Sequence, residues 1–540
     1  MLLKYSVFSR ERLIAEARKD KKWDLVIIGG GATGLGIALD AVTRGYSTLL
    51  LEQEDFAKGT SSRSTKLVHG GIRYLAQGNI DLVREALHER GLLAINAPHL
   101  VKKQKFIIPN YLWWEGLYYN FGLKTYDFLA GKLSMGKSER ISLEEVNQRL
   151  PALVREELRG GVIYLDGQFD DARLAVNIAQ TIVENDGIAL NHLKVTGISS
   201  ENADVINRVQ ARDSETGETY SFKANLVVNA TGVFVDDIRK MANPGAKASI
   251  KASQGVHLVF DQKFFPGKDA LMIPKTDDGR VLFAVPWNGK VLVGTTDTLL
   301  ENPVLEPKAL EEEIEFIMKT FNRYIQKKVT RKDVKSVFAG LRPLAVGEGE
   351  DKSTKEISRG HKIDFSEKGL LTITGGKWTT YRKMAEDVID LAITENRLPA
   401  RKCITENFLI HGAKSHKSRE DHLHVYGGDK SLILELIDKH PNLGERIHPD
   451  LPHLEAEVVW AVRFEMARSL EDVLARRVRI LFLDARIAQE IAPKVAALMA
   501  KELEKDENWI NEQVENFRKL VEEHYQVSSE KHTKKDKIQP

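Results

Sequence analysis

The order of elements in the sequence predicts an α/β fold, with a parallel βαβ core, a partly antiparallel second sheet and a helical C-terminal domain. Three observations carry this. A buried strand runs into a glycine-rich turn, a helix and a second strand near the N-terminus; strand-like runs recur from Gly161 to Asn229; and beyond Pro399 helical patterns replace them.

Residues 1–23 read as an N-terminal helix over Ser9–Asp20 leading into the core. Leu25-Val26-Ile27-Ile28 is a short β-branched run of the kind buried in parallel sheets. A helix from about Thr33 to Thr43 ends near Gly45, and Ser47–Leu51 supplies the next strand. Right-handed crossover places both strands in one parallel sheet. Asp81–Asn96 reads as a helix, and Phe106–Leu129 carries Trp113, Trp114, Tyr118, Tyr119, Phe121, Tyr126 and Phe128. The runs Gly161–Leu165, Ala189–Ile198, Val205–Arg212 and Leu226–Asn229 suggest the second sheet. Ser431–Lys439, Glu455–Leu483 and Ala485–Glu523 read as helices, so residues 401–527 are expected to form the C-terminal domain. Polar residues 528–540 are expected to be a disordered tail.

Gly29-Gly30-Gly31-Ala32-Thr33-Gly34 places G-x-G-x-x-G between strand and helix, and Glu52 closes the second strand. Gly29 permits the tight turn, Gly31 lets the backbone approach a pyrophosphate, and Gly34 lets helix and strand pack closely. The helix N-terminus offers N–H groups and positive partial charge, and Glu52 suits a ribose hydroxyl. The combination predicts a bound dinucleotide. Two later segments favour FAD over NAD: Leu226 to Gly232, with Ala230 and Gly232 in its turn, and Leu371 to Lys377, followed by a helix from about Thr379 whose N-terminus suits the pyrimidine end of a flavin.

Thr60-Ser61-Ser62-Arg63-Ser64-Thr65-Lys66-Leu67-Val68-His69-Gly70-Gly71, Phe338 to Leu344, Gly375 to Arg382 and Ser469 to Arg477 together resemble the FAD-dependent (aerobic) glycerol-3-phosphate dehydrogenase family, over about Phe8 to Phe517. The resemblance implies a glutathione-reductase-like FAD-binding Rossmann fold with an antiparallel-sheet substrate domain and a helical C-terminal cap domain. FAD parts are expected at about 24–95, 160–250 and 340–400, and substrate parts at 96–159 and 251–339. It implies cofactor contacts at Gly29, Gly31, Gly34, Glu52, Thr60, Ser61, Ser62, Ala230, Gly232, Gly376, Lys377 and Thr379. It also implies oxidation of sn-glycerol 3-phosphate to dihydroxyacetone phosphate, with electrons passed to a membrane quinone by an enzyme peripheral on the inner face of the cytoplasmic membrane. A homodimer is compatible with it.

The residue chemistry agrees with that expectation. A phosphate dianion calls for fixed cations, and Arg63, Arg342, Arg359 and Lys377 lie in or beside glycine- and serine-containing turns. By resemblance Arg342, Arg359 and Lys377 converge on the substrate with Arg63 nearby. Loss of the hydroxyl proton calls for a base titrating near neutrality; His257 is the first choice and His69 the second, or a group that positions the flavin.

Composition narrows the alternatives. Of 540 residues, 42% are hydrophobic and 29% charged, and Lys plus Arg total 79 against 77 acidic residues, a net charge of +2. No global attraction to nucleic acid is implied, which argues against an FAD-containing RNA-modifying protein; a glycerol-phosphate oxidase using dioxygen is the nearer alternative. Cys403 is the single cysteine, and no intrachain disulfide is possible. No signal peptide and no run of about 18 uncharged apolar residues are evident, so membrane contact is expected to be peripheral. His411, His416, His422 and His424 are expected to be a solvated linker without metal, and no calcium loop is present. The aromatic stretch from Tyr111 to Phe128 is read first as core packing and second as an interfacial anchor. Arg476, Arg477 and Arg479 are read first as a solvated helix face and second as contacts for anionic lipid.

Overall fold

The computed structural model describes residues 7–19, 21–76, 78–200, 205–277, 279–346, 360–415 and 421–528. In Lys22–Ile28 the apolar run Leu25–Ile28 is buried on both faces between parallel neighbours Thr48–Leu51 and Thr219–Asn229. Ile188–Leu190 and Leu371–Gly375 extend the parallel array at either side, and His361–Phe365 closes one edge in antiparallel register. The helices Ala32–Thr43, Asp171–Glu184 and Tyr381–Thr394 contribute Leu35, Ile37, Ile178, Ile182, Val388 and Ile389 to the same core.

The second sheet is mostly antiparallel. The strands Ile250–Asp261 and Val334–Ala345 form its longest pair, in a register that sets Ser253 opposite Arg342 and His257 opposite Phe338. Lys290–Gly294, Leu282–Trp287, Ala270–Ile273, Lys102–Asn110, Gly160–Gln168 and Leu67–Val68 continue it.

This topology corrects two expectations. Ile188–Leu190, Leu193–Ser199, Arg208–Asp213 and Thr219–Asn229 all join the first sheet rather than building the second, through parallel pairing of Ile188–Leu190 with Leu49–Leu51 and of Leu226–Asn229 with Leu25–Ile28. Gly160–Gln168, assigned above to an FAD part, pairs with Lys102–Asn110 in the second sheet.

Among the described residues beyond Pro399, every regular element is helical. The expected long helices are interrupted. Glu455–Phe464 stops before left-handed Met466, and Ala485–Leu503 stops at left-handed Glu504, after which Asp506 caps the Glu507–Leu520 helix through Trp509 N–H. Such φ values end a helix because its ladder cannot continue through them.

The arginines of this domain face inward, overturning both the solvated and the lipid-contact readings. Arg476, Arg477 and Arg479 are each at most 2% exposed. Arg476 and Arg477 converge on the Asp55 carboxylate at 2.6 and 2.8 Å, and Arg479 donates to Asp171 at 2.8 Å. Buried guanidinium groups persist only when paired in this way.

The aromatic stretch is corrected in the opposite direction. The Glu115–Ala130 helix buries Leu123 and Tyr126 but presents Leu117, Tyr118, Phe121 and Phe128 outward, with Trp113 and Trp114 beside its start. Phe128 is 83% exposed and Phe121 78%, so core packing accounts for only one face of this helix.

Candidate active site

Several sequence segments meet at one cavity of about 600 Å³. The first is the glycine turn. Gly29 has φ +111°, and a Cβ on Gly34 would lie 1.9 Å from the Gly29 carbonyl oxygen, so strand and helix could not pack with a side chain there. Gly31 is the N-cap of the Ala32–Thr43 helix and has no capping side chain. Gly31, Ala32 and Thr33 line the cavity, which therefore faces the positive end of that helix. Ser61 Oγ accepts from Ala32 N–H at 2.9 Å, bringing the second segment against the first.

Two further hydrogen bonds draw in the others. Trp378 Nε1 donates to the Ser61 carbonyl at 2.7 Å, and Thr60 Oγ1 donates to the Leu341 carbonyl. Glu52 sits at the cavity wall and accepts from Gly30 N–H at 2.5 Å and Glu54 N–H at 2.9 Å, one on each oxygen. Burial raises its pKa despite these donors. Lone pairs remain on both oxygens for a ribose hydroxyl.

The remaining wall comes from Ala230, Thr231 and Gly232 and from Gly375, Gly376 and Lys377. Gly376 has φ +87°, and a Cβ there would strike the Met384 side chain. Close backbone approach, a helix N-terminus opening on the cavity and a carboxylate at the end of the second strand fit the pyrophosphate and ribose of FAD.

Other expected cofactor residues fall behind this wall. Ser62 is fully buried, and its carbonyl accepts from Lys66 and Arg479. Thr379, 3% exposed, accepts from His69 N–H at 3.3 Å and so ties two motif segments together. Neither lines the cavity, because their polar groups point into the protein.

His257, 2% exposed, places Nε2 2.9 Å from Thr65 Oγ1, and its ring stacks on Phe338 at 5.0 Å. Burial, then the charges of Lys66 and Arg342, hold this imidazole well below the ordinary histidine range, so it is neutral at pH 7. Arg342 crosses Gly255 and donates to Thr295 Oγ1 at 3.1 Å and to the Thr296 carbonyl at 3.2 Å, with Asp297 at 3.5 Å. Lys377 Nζ lies 3.9 Å over the Tyr74 ring.

Arg63 departs from its expected role. It is 5% exposed, pairs with Glu306 at 2.5 Å and donates to the Ala339 carbonyl, so its charge is already used within the protein. Arg359 lies outside the described residues.

The sequence reading also missed a buried unit next to His257. Lys66 donates to Asp171 at 2.8 Å and to the Ser62 carbonyl at 2.6 Å, and Asp171 also holds Arg479. Burial, with help from Arg479 and against Asp171, pushes the Lys66 pKa down to about 7. Lys66 stands inside a quoted motif, but its partners come from distant segments. Thr295, Thr296 and Asp297 carried no signal beyond a turn after a strand.

The family model described as FAD dependent oxidoreductase matches residues 24–382, and that of the C-terminal domain of alpha-glycerophosphate oxidase matches 371–509. A probable mitochondrial glycerol-3-phosphate dehydrogenase of Caenorhabditis elegans is 39% identical over 526 residues, covering 92% of this chain and 72% of that protein. The chain belongs to the FAD-dependent glycerol-3-phosphate dehydrogenase family. The mitochondrial glycerol-3-phosphate dehydrogenase of Arabidopsis thaliana is 38% identical, with coverage of 95% and 88%. The crystal structure of the Bacillus halodurans glycerol-3-phosphate dehydrogenase with FAD superimposes with a TM-score of 0.78 at 30% identity, covering 99% of this chain and all of that one. A Mycoplasma pneumoniae glycerophosphate oxidase, 18% identical with a TM-score of 0.55, shares the fold. Family membership makes FAD the cofactor, and the glycine turn, Glu52 and the Ala230 and Gly376 turns are the residues that fit it.

Proposed function

We propose that the chain oxidises sn-glycerol 3-phosphate to dihydroxyacetone phosphate and passes the electrons to a membrane quinone. The observation that carries the substrate reading is a neutral, buried imidazole, His257, within reach of the charge of Arg342, whose guanidinium crosses Gly255 two residues along the same strand. When bound, FAD supplies a hydride acceptor for the carbinol carbon. His257 takes the hydroxyl proton; its neutral state leaves a nitrogen lone pair for that purpose. Thr65 orients the ring through Nε2. Arg342 and Lys377 supply positive charge for the phosphate, with Arg342 held in place by Thr295 and Thr296. Phe338, stacked on His257, keeps water from one face of the base.

The acceptor reading rests on the exposed aromatic face of Glu115–Ala130 with Trp113 and Trp114, which suits the interface of a bilayer holding a lipid-soluble quinone. Among the described residues no helix is long and apolar enough to cross a membrane. We read the attachment as peripheral, with the inner face of the cytoplasmic membrane as the proposed location.

Anaerobic mixing of the purified yellow protein with sn-glycerol 3-phosphate tests the substrate. Bleaching of the flavin band is expected, and an unchanged band refutes the reading. Rapid oxygen consumption with peroxide formation in the absence of quinone would instead favour the oxidase.

A further inference from the structure

We propose that His422, His453 and Glu457 form a binding site for a divalent ion of the zinc class in the helical C-terminal domain. The three residues come from two pieces of backbone. His422 begins the short helical segment His422–Asp429, His453 precedes the Glu455–Phe464 helix, and Glu457 lies in that helix's first turn. Their ligand atoms all lie within 4.8 Å of one another. His422 Nε2 is 2.9 Å from Glu457 Oε2, and His453 Nδ1 is 3.2 Å from Oε1. A tetrahedral ion with bonds of about 2.0–2.1 Å separates its ligand atoms by roughly 3.3 Å, so small side-chain movements admit it.

The surroundings favour a cation. Glu457 is 1% exposed, and among the described residues its ion-pair partners are the two histidines. Tyr426 OH at 3.1 Å and Leu454 N–H at 2.7 Å donate to the same carboxylate and fix its orientation, as outer contacts do around bound ions. Two imidazoles and one carboxylate match zinc or cobalt better than magnesium or calcium. His422 and His453 remain partly exposed, which leaves an approach for the ion and a fourth position for water.

A second group with similar spacing, Asp55, His192 and Asp472, lacks this character, because Arg476 and Arg477 already neutralise its carboxylates. The inferred site would pin the His422 segment to the Glu455–Phe464 helix.

The test uses the full-length, FAD-loaded protein, stripped with a chelator and titrated with Zn²⁺ or Co²⁺. About one equivalent should be retained after desalting, and cobalt should add visible absorption beyond the flavin band. His422→Ala and His453→Ala should each weaken binding by more than the roughly 10–100-fold that loss of an outer contact costs. His424→Ala, a change in the same segment, should bind as the wild type does. Unchanged far-ultraviolet circular dichroism and flavin content would establish that the variants are folded. Failure of the wild type to retain either ion, or wild-type binding by both histidine variants, would show the triad to be a hydrogen-bonded cluster only.

Discussion

Thr65 Oγ1 meets His257 Nε2 at 2.9 Å across 192 residues of sequence, joining the serine- and threonine-rich segment after the FAD core to the longest strand pair of the second sheet. This contact sets the ring direction of the proposed base. Replacing His257 with Gln should lower kcat by about 10²–10⁴-fold with FAD retained. Thr65→Val should lower kcat less, leave KM near the wild-type value and alter the pH profile. Wild-type turnover by His257→Gln would remove it from the mechanism.

The depressed pKa of His257 has a stability consequence with a definite sign. Below the ordinary histidine pKa of 6.5 the unfolded chain binds a proton that the buried imidazole refuses. This group therefore makes the fold less stable as pH falls through that value. His257→Gln should flatten the acid side of a plot of Tm against pH.

His411 works in the opposite sense. It bridges Asp429 and Glu184 at 2.7 Å each, joining the C-terminal domain to the Asp171–Glu184 helix. Burial opposes its charge, but the two carboxylates outweigh burial and raise its pKa to about 10. The stabilisation is complete below pH 6.5 and disappears as pH rises through about 10. His411→Ala should cost roughly 1.5–3 kcal/mol near neutrality, mostly through Asp429, since a half-exposed partner such as Glu184 adds little. Equal Tm values for variant and wild type at pH 7 would contradict this.

Arg342→Ala should reduce kcat/KM for glycerol 3-phosphate by about 10–150-fold, the loss of one charge-assisted contact of roughly 1.5–3 kcal/mol. The loss should be selective, since glycerol carries no phosphate. Retention of the wild-type value would move the phosphate site to other residues.

Gly31→Val and Gly34→Ala should fail differently. A Cβ on Gly31 meets only Ser61 Oγ at 3.2 Å, so the added methyls enter the cavity and flavin content should fall while the fold survives. At Gly34 the added atom collides with backbone, and both flavin and soluble protein should be lost. Flavin absorbance per protein, measured after gel filtration, separates the two outcomes.

Exchanging Phe121 and Phe128 for Ser should release the enzyme from vesicles while turnover with a soluble dye acceptor is unchanged. Co-sedimentation equal to the wild type would place the membrane contact elsewhere.

The nucleotide-binding half was legible because its signals are local. The turn, helix and strand around Gly29 and Glu52 lie within one short stretch, and each glycine's task follows from backbone geometry. The substrate side was less legible. Arg63 and Arg342 stand in equally suggestive motifs, yet Glu306 engages one and Thr295 and Thr296 hold the other, and no sequence pattern announces either set of partners. The basic residues of the C-terminal domain misled for the same reason. Three close arginines usually mark a wet face, and only the tertiary fold brings Asp55 and Asp171 to them.

That last arrangement makes the C-terminal domain a resident counter-ion for the FAD core. A chain ending at residue 400 would leave Asp55, among the described residues, with Asn191 as its side-chain donor, at 3.0 Å, and would leave Asp171 to Lys66, Ser64 and nearby backbone. Carboxylates stripped of these guanidinium partners must take up a proton or turn to water, and either loosens the segment after the second strand that packs on the glycine turn. Loss of the helices would thus reach the dinucleotide site through charge, although among the described residues the cavity wall contains none from beyond Trp378.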